Sequence, residues 1–123
     1  MVGQVALAVF CLSACSEEPT QPQITDSSSV SRIAFSSSVD NNTDIYTMKT
    51  DGTDLVNLTV SDSYEAVPSW SSDGSRIAYV SDQFGQYDIF TMKWDGTDRT
   101  RLTHFVGVDN LPQWSPKGSK IAY

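Results

Sequence analysis

Few side chains in this 123-residue sequence are of kinds that do covalent or metal chemistry, and their spacing narrows the options further. His104 is the only histidine. No Gly-x-Ser-x-Gly elbow gives it a serine to activate, and no His, Cys and carboxylate spacing suggests zinc. Asp44 and Asp88 stand at the same place in two similar segments and could cap a turn or bind calcium. A calcium loop would carry Asp-x-Asp-x-Asp-Gly, which is missing, so turn capping is the favoured role. Trp70 and Trp114 invite a ligand-stacking role. An indole recurring at one position of a repeated strand is better explained by packing between repeats. The expectation is no catalytic residue, no metal and no cofactor.

Composition agrees. Eight Lys and Arg face fifteen Asp and Glu, for a net charge of -7, and the basic residues are scattered singly. Such a chain has no patch to neutralise a phosphate backbone, which excludes nucleic acid as a partner. Twelve of the fifteen acids are Asp, a turn and cap former, beside many Ser, Thr and Gly. That bias predicts a turn-rich, all-β chain and not a helical bundle.

The elements that must position these residues begin with an export signal. Val5 to Leu12 is apolar but too short to span a bilayer, and it suits a secretory signal core. Leu12-Ser13-Ala14-Cys15 resembles the lipobox of bacterial lipoproteins, which implies a signal peptide over 1–14 and lipid on Cys15. Cys11 would leave with the signal, so the mature chain would hold no free thiol. Residues 15–31, rich in Ser, Glu, Pro and Gln, read as a disordered tether.

Residues 32–123 repeat with a period of 44. Arg32-Ile33-Ala34-Phe35 recurs as Arg76-Ile77-Ala78-Tyr79 and Lys120-Ile121-Ala122-Tyr123. Asp44-Ile45-Tyr46-Thr47-Met48-Lys49 recurs as Asp88-Ile89-Phe90-Thr91-Met92-Lys93, and Pro68-Ser69-Trp70-Ser71 as Pro112-Gln113-Trp114-Ser115. Aligned without gaps, 32–59 and 76–103 are identical at 15 of 28 positions. Within one period, strands are predicted at 67–71, 76–81, 87–93 and 99–103. Asp-Gly turns at Gly52, Gly74 and Gly96 supply the positive φ of tight hairpins. Four short antiparallel strands per ~40–45 residues describe a β-propeller blade. Blade boundaries fall near 66 and 110.

Trp70 to Tyr79, followed by Asp88 to Asp98 and Arg101-Leu102-Thr103, closely resembles the WD-like propeller repeat of the TolB family. The resemblance implies a β-propeller of four-stranded antiparallel blades, of which about two 44-residue repeats are present. Closed propellers need ~4–8 blades, so the ring is incomplete and the chain reads as an N-terminal fragment of a longer propeller.

Strands of alternating direction sort the connections to two rims. The Asp-Gly hairpins share one. The other collects 37–43, 60–66, 82–86 and 104–110, and there the two copies diverge. Loops that vary on a common scaffold are where recognition sits, which marks Asp82, Phe84, Tyr87 and His104 as candidate partner-binding residues. The resemblance to the TolB repeat implies a non-enzymatic envelope protein whose propeller is a protein-binding scaffold, and the separate resemblance of Leu12 to Cys15 to a lipobox implies that it is lipid-anchored. Its implied partners are peptidoglycan-associated lipoproteins or Tol-type transport components. Ser16 after the lipidated cysteine resembles the pattern that sorts lipoproteins to the periplasmic side of the outer membrane. The alternatives are the propeller domain of a prolyl-oligopeptidase-type serine peptidase and a glycan-binding propeller.

Overall fold

The computed structural model describes residues 31–123, so the signal, Cys15 and all of the tether but Ser31 lie outside the described residues. Among the described residues there is no helix; nine strands form three antiparallel sheets. Sheet 1 holds β1 (Arg32–Val39), β2 (Asn42–Lys49) and β3 (Val56–Asn57). Sheet 2 holds β4 (Glu65–Trp70), β5 (Arg76–Ser81), β6 (Asp88–Lys93) and β7 (Thr100–Arg101). Sheet 3 holds β8 (Gln113–Trp114) and β9 (Ile121–Ala122). Sheet 2 is a complete four-stranded meander, the propeller-blade unit expected from the repeat.

Repetition of sequence gives repetition of register. Ile33↔Met48 and Phe35↔Tyr46 in sheet 1 become Ile77↔Met92 and Tyr79↔Phe90 in sheet 2. Both aromatic pairs stack across the strands, at centroid separations of 5.9 and 5.6 Å. The core lies between the sheets. Ile45 and Leu58 of the first blade meet Ile77, Tyr79, Phe90 and Met92 of the second, with Trp70 and Ala34 packed against them. On the opposite face of sheet 2, Ala78, Val80 and Ile89 are also buried. A sheet covered on both faces carries apolar residues at consecutive positions, which is why Ile77-Ala78-Tyr79-Val80 does not alternate with polar side chains.

Three local features refine the sequence expectation. First, residues 37–43 are not a loop. β1 and β2 pair from Arg32↔Lys49 to Val39↔Asn42 and turn on Asp40 and Asn41, both at positive φ (51° and 64°). That is the mirror-type two-residue turn, suited to the twist of a long hairpin. In the second blade the strands stop at Ser81 and restart at Asp88, leaving a true loop around Gly85. Second, within each Asp-Gly step only the glycine takes positive φ, and in two of the three turns a following aspartate does so as well, Asp54 at 55° and Asp98 at 53°. The aspartate acts through its side chain: Asp51 Oδ1 accepts from Thr53 N (2.9 Å) and Oγ1 (2.7 Å), and Asp95 Oδ1 from the same atoms of Thr97 (3.0 and 2.6 Å). Third, β4 is bulged between Ala66 and Ser69, with Val67 at φ 55°. The strain recurs at Leu111 (φ 54°), and each residue precedes a proline that cannot donate to the ladder.

Candidate interaction surface on the loop rim

The loop rim is held in place by a clasp that each of the first two sheets builds from its repeated Asp and Thr. In the first, Thr59 Oγ1 accepts from Ile45 N (3.0 Å) and donates to Asp44 Oδ1 (2.9 Å). In the second, Thr103 Oγ1 accepts from Ile89 N (2.9 Å) and lies 3.4 Å from Asp88 Oδ1. This ties the start of the third strand to the exit of the fourth, and it accounts for the recurring threonine at 59 and 103. The rim loop is pinned as well: Asn42 Nδ2 donates to Ser61 O and Gln86 Nε2 to Phe105 O, each at 2.5 Å.

What completes the clasp differs between the copies. Asp44 Oδ2 accepts from Asn57 Nδ2 (2.9 Å). At the equivalent place Arg101 Nη2 sits 2.7 Å from Asp88 Oδ2, an ion contact without the alignment of a hydrogen bond. Asp88 is 0% exposed. Arg101 Nε donates to Thr103 O (2.8 Å), and its guanidinium lies 4.4 Å from the centre of the Phe84 ring. Phe84 in turn stacks on Phe90, with ring planes within 6°. An aromatic side chain that is 60% exposed is therefore held by stacking on a core aromatic and by a cation over its ring.

The other residues singled out by sequence share this rim. Asp82 Oδ1 accepts from Tyr64 N (2.9 Å), so this carboxylate joins the loops ahead of β4 and β6. Tyr87 makes an edge contact with Tyr64 at 5.7 Å, and its carbonyl accepts from Asp109 N. His104 is exposed beside Phe105, which is 81% exposed. Among the described residues no group of His, Cys, Asp or Glu is arranged to hold a metal ion. Trp70 packs on the core between sheets 1 and 2; the indole N–H groups of Trp70 and Trp114 are buried without a partner.

Sequence reasoning missed the member of this rim nearest the first clasp. Glu65 is 3% exposed and receives Ser61 Oγ (2.8 Å) and Ser81 Oγ (3.1 Å). Ser61 N also donates to Asp44 Oδ1 (3.3 Å), so one serine bridges a carboxyl from each sheet. Burial pushes the Glu65 carboxyl above its usual value against the two serine hydrogen bonds, and the neighbouring Asp44 charge adds to the rise. Burial acts on Asp44 in the same sense, but hydrogen bonds from Asn57, Thr59 and Ser61 outweigh it and hold Asp44 below the usual range. The folded chain thus binds a proton at Glu65 more tightly than the unfolded chain does. Stability contributed by that proton is full below the ordinary glutamate pKa and is lost as pH rises through the folded value. Glu65→Gln should remove this loss and make the variant more stable than the wild type at neutral pH. Thermal melts across pH check it: an unchanged pH profile in the variant would refute the assignment.

The hairpin rim repeats with less variation. Arg32 Nη1 pairs with Asp54 Oδ2 (2.7 Å) and Arg76 Nη1 with Asp98 Oδ2 (2.9 Å). Asp73 is held down to about 2 by hydrogen bonds from Ser71 and Ser75. A shallow cleft of about 260 Å³ lies here between the first two blades, lined by Arg32, Val56, Leu58 and Trp94 among others.

The sequence profile of the TolB β-propeller domain matches residues 22–123. The chain belongs to that family. A solved structure described as TolB from Agrobacterium tumefaciens is similar with a TM-score of 0.70 and 30% identity, over 73% of this chain and 32% of that one. TolB from Acinetobacter baumannii is similar in fold, with a TM-score of 0.65 and 23% identity over 74% of this chain and 23% of that one. The TolB-like chain thus spans about a third or less of each of these proteins. No curated protein matches it. The all-β propeller architecture read from the 44-residue period is the architecture of this family.

Proposed function

We propose that this TolB-like chain is a non-enzymatic, protein-binding module of the bacterial envelope, that its loop rim is the recognition surface, and that Cys15 carries a lipid anchor on the periplasmic side of the outer membrane. One observation carries the reading of the rim. Two blades of matching scaffold and matching hairpin rim differ on the loop rim, where the second blade presents Phe84 on a rigid base of Phe90 and Arg101. A buttressed exposed aromatic is the usual form of an interface anchor, because little side-chain entropy remains to be lost on binding. The envelope setting is supported by the two TolB structures it resembles and by the lipobox-like Leu12-Ser13-Ala14-Cys15. Tol-type transport components and peptidoglycan-associated lipoproteins are the partners this reading names.

Crosslinking in intact cells with a photoreactive phenylalanine analogue at position 84, read alongside metabolic labelling with a palmitate analogue, tests both halves. Envelope proteins should crosslink from position 84 and not from an analogue placed at Trp94 on the opposite rim. Label should be incorporated and lost in Cys15→Ala. Equal crosslinking from both rims would overturn the rim assignment, and an unlabelled wild type would overturn the anchor.

A further inference from the structure

The two rims carry opposite charge. Arg32, Lys49, Arg76, Lys93, Arg99, Lys117 and Lys120 all fall at strand ends or turns of the hairpin rim, seven of the eight Lys and Arg in the chain. There they stand beside Asp51, Asp54, Asp73, Asp95 and Asp98, of which Asp54 and Asp98 form ion pairs, with Arg32 and Arg76. The remaining seven acids of the described residues lie at the loop rim, against the single cation Arg101. Three of these acids, Asp44, Glu65 and Asp88, are buried in the clasps. Asp40 and Asp62 are exposed and Asp82 and Asp109 half-buried, and none of these four has an ion-pair partner among the described residues. Arg101 cannot neutralise them, because it is committed to Asp88, Thr103 O and the Phe84 ring. Phe84 and Phe105 stand exposed on this same acidic rim.

We infer that the loop rim docks a cationic, apolar-bearing polypeptide segment: its Lys or Arg side chains meet the acids on loops 40–41, 61–64, 82–87 and 104–110, and its apolar side chains cover Phe84 and Phe105. The inference rests on the reading of this rim as the recognition surface and adds the chemistry of the partner. Charge complementarity of this sort steers association and fixes orientation, while the aromatic contact supplies dwell time. The clasps keep the field in place, since burying Asp44 and Asp88 fixes the loop ends that carry the exposed acids. A polyanion is excluded by the same charges, and an anionic membrane surface would be repelled from this side.

Binding of a short peptide alternating Lys with Leu to the full chain, followed by fluorescence anisotropy, tests this. A Glu-for-Lys peptide is the comparison. The triple variant Asp40→Asn, Asp62→Asn, Asp109→Asn removes rim charge at positions where asparagine suits the local backbone, and thermal melting verifies that each protein is folded. The Lys peptide should bind the wild type, lose about 10-fold in affinity to the triple variant, and weaken markedly between about 50 and 300 mM salt. Asp51→Asn with Asp95→Asn makes a similar charge change on the hairpin rim and should leave the affinity unchanged. Equal binding of the Glu peptide, an unaffected triple variant, or equal loss in the hairpin-rim variant would each overturn the inference. If position 84 still crosslinks to envelope proteins while the charge variants have no effect, the rim reading survives and the cationic partner does not.

Discussion

Asp88→Ala should lower the free energy of unfolding by about 3–5 kcal/mol, the largest effect expected of any single polar substitution in the chain. The carboxylate is 0% exposed and faces Arg101 at 2.7 Å, so its removal strands a partly buried guanidinium. Thr103 loses its acceptor at the same time, and Gln86 loses one of the two groups it joins. The first blade provides the control. Asp44 receives only neutral donors, from Asn42, Asn57, Thr59 and the Ser61 amide, so Asp44→Ala should cost less, about 1–3 kcal/mol. Urea denaturation of the two variants gives the comparison; equal losses would mean that the ion contact adds nothing beyond the hydrogen bonds.

Gly96→Ala should destabilise by about 2–4 kcal/mol, against about 1–2 for Gly52→Ala. The two glycines hold equivalent positions in separate hairpins, each at φ 84°, so the backbone penalty for a side chain is the same at both. They differ in what a new Cβ would meet. At Gly52 nothing lies within 4 Å, whereas at Gly96 the Leu58 carbonyl oxygen of the preceding blade stands 2.9 Å away. That oxygen is backbone and is already engaged by Arg99 Nη2 at 2.6 Å, so it cannot give way cheaply. The difference between the two variants measures the seat of one blade on the next. Chemical denaturation of both proteins reads it directly, and identical losses would show that the close approach is relieved without cost.

These two cases mark what was legible in the residues. Period 44, the strand sites around Arg76 to Lys93 and the sorting of connections to two rims all followed from identities at fixed offset, because a repeat imposes one register on every copy; that 37–43 is a tight hairpin and not a loop did not. The four rim candidates do lie on one rim for the same reason, although Asp82 is spent in part on holding Tyr64. Glu65 was invisible. Its counterpart in the next copy is Asp109, a different residue, and only the closure of β4 onto β2 brings it beside Asp44. The roles of Leu58-Thr59 and of Arg32 with Asp54 were equally hidden, since partners 15 and 22 residues apart meet only when the strands pair.

By itself, then, the sequence determined the all-β class, the blade as the folding unit and the sense of each rim, since all three depend on local turn chemistry and on spacing along one strand. Tertiary structure alone decided that Asp44 and Asp88 are clasps, that Arg101 backs Phe84 and that Gly96 is a seat for the neighbouring blade. Each of those depends on which atoms are brought together across strands and between sheets, and a linear order of residues does not contain those distances.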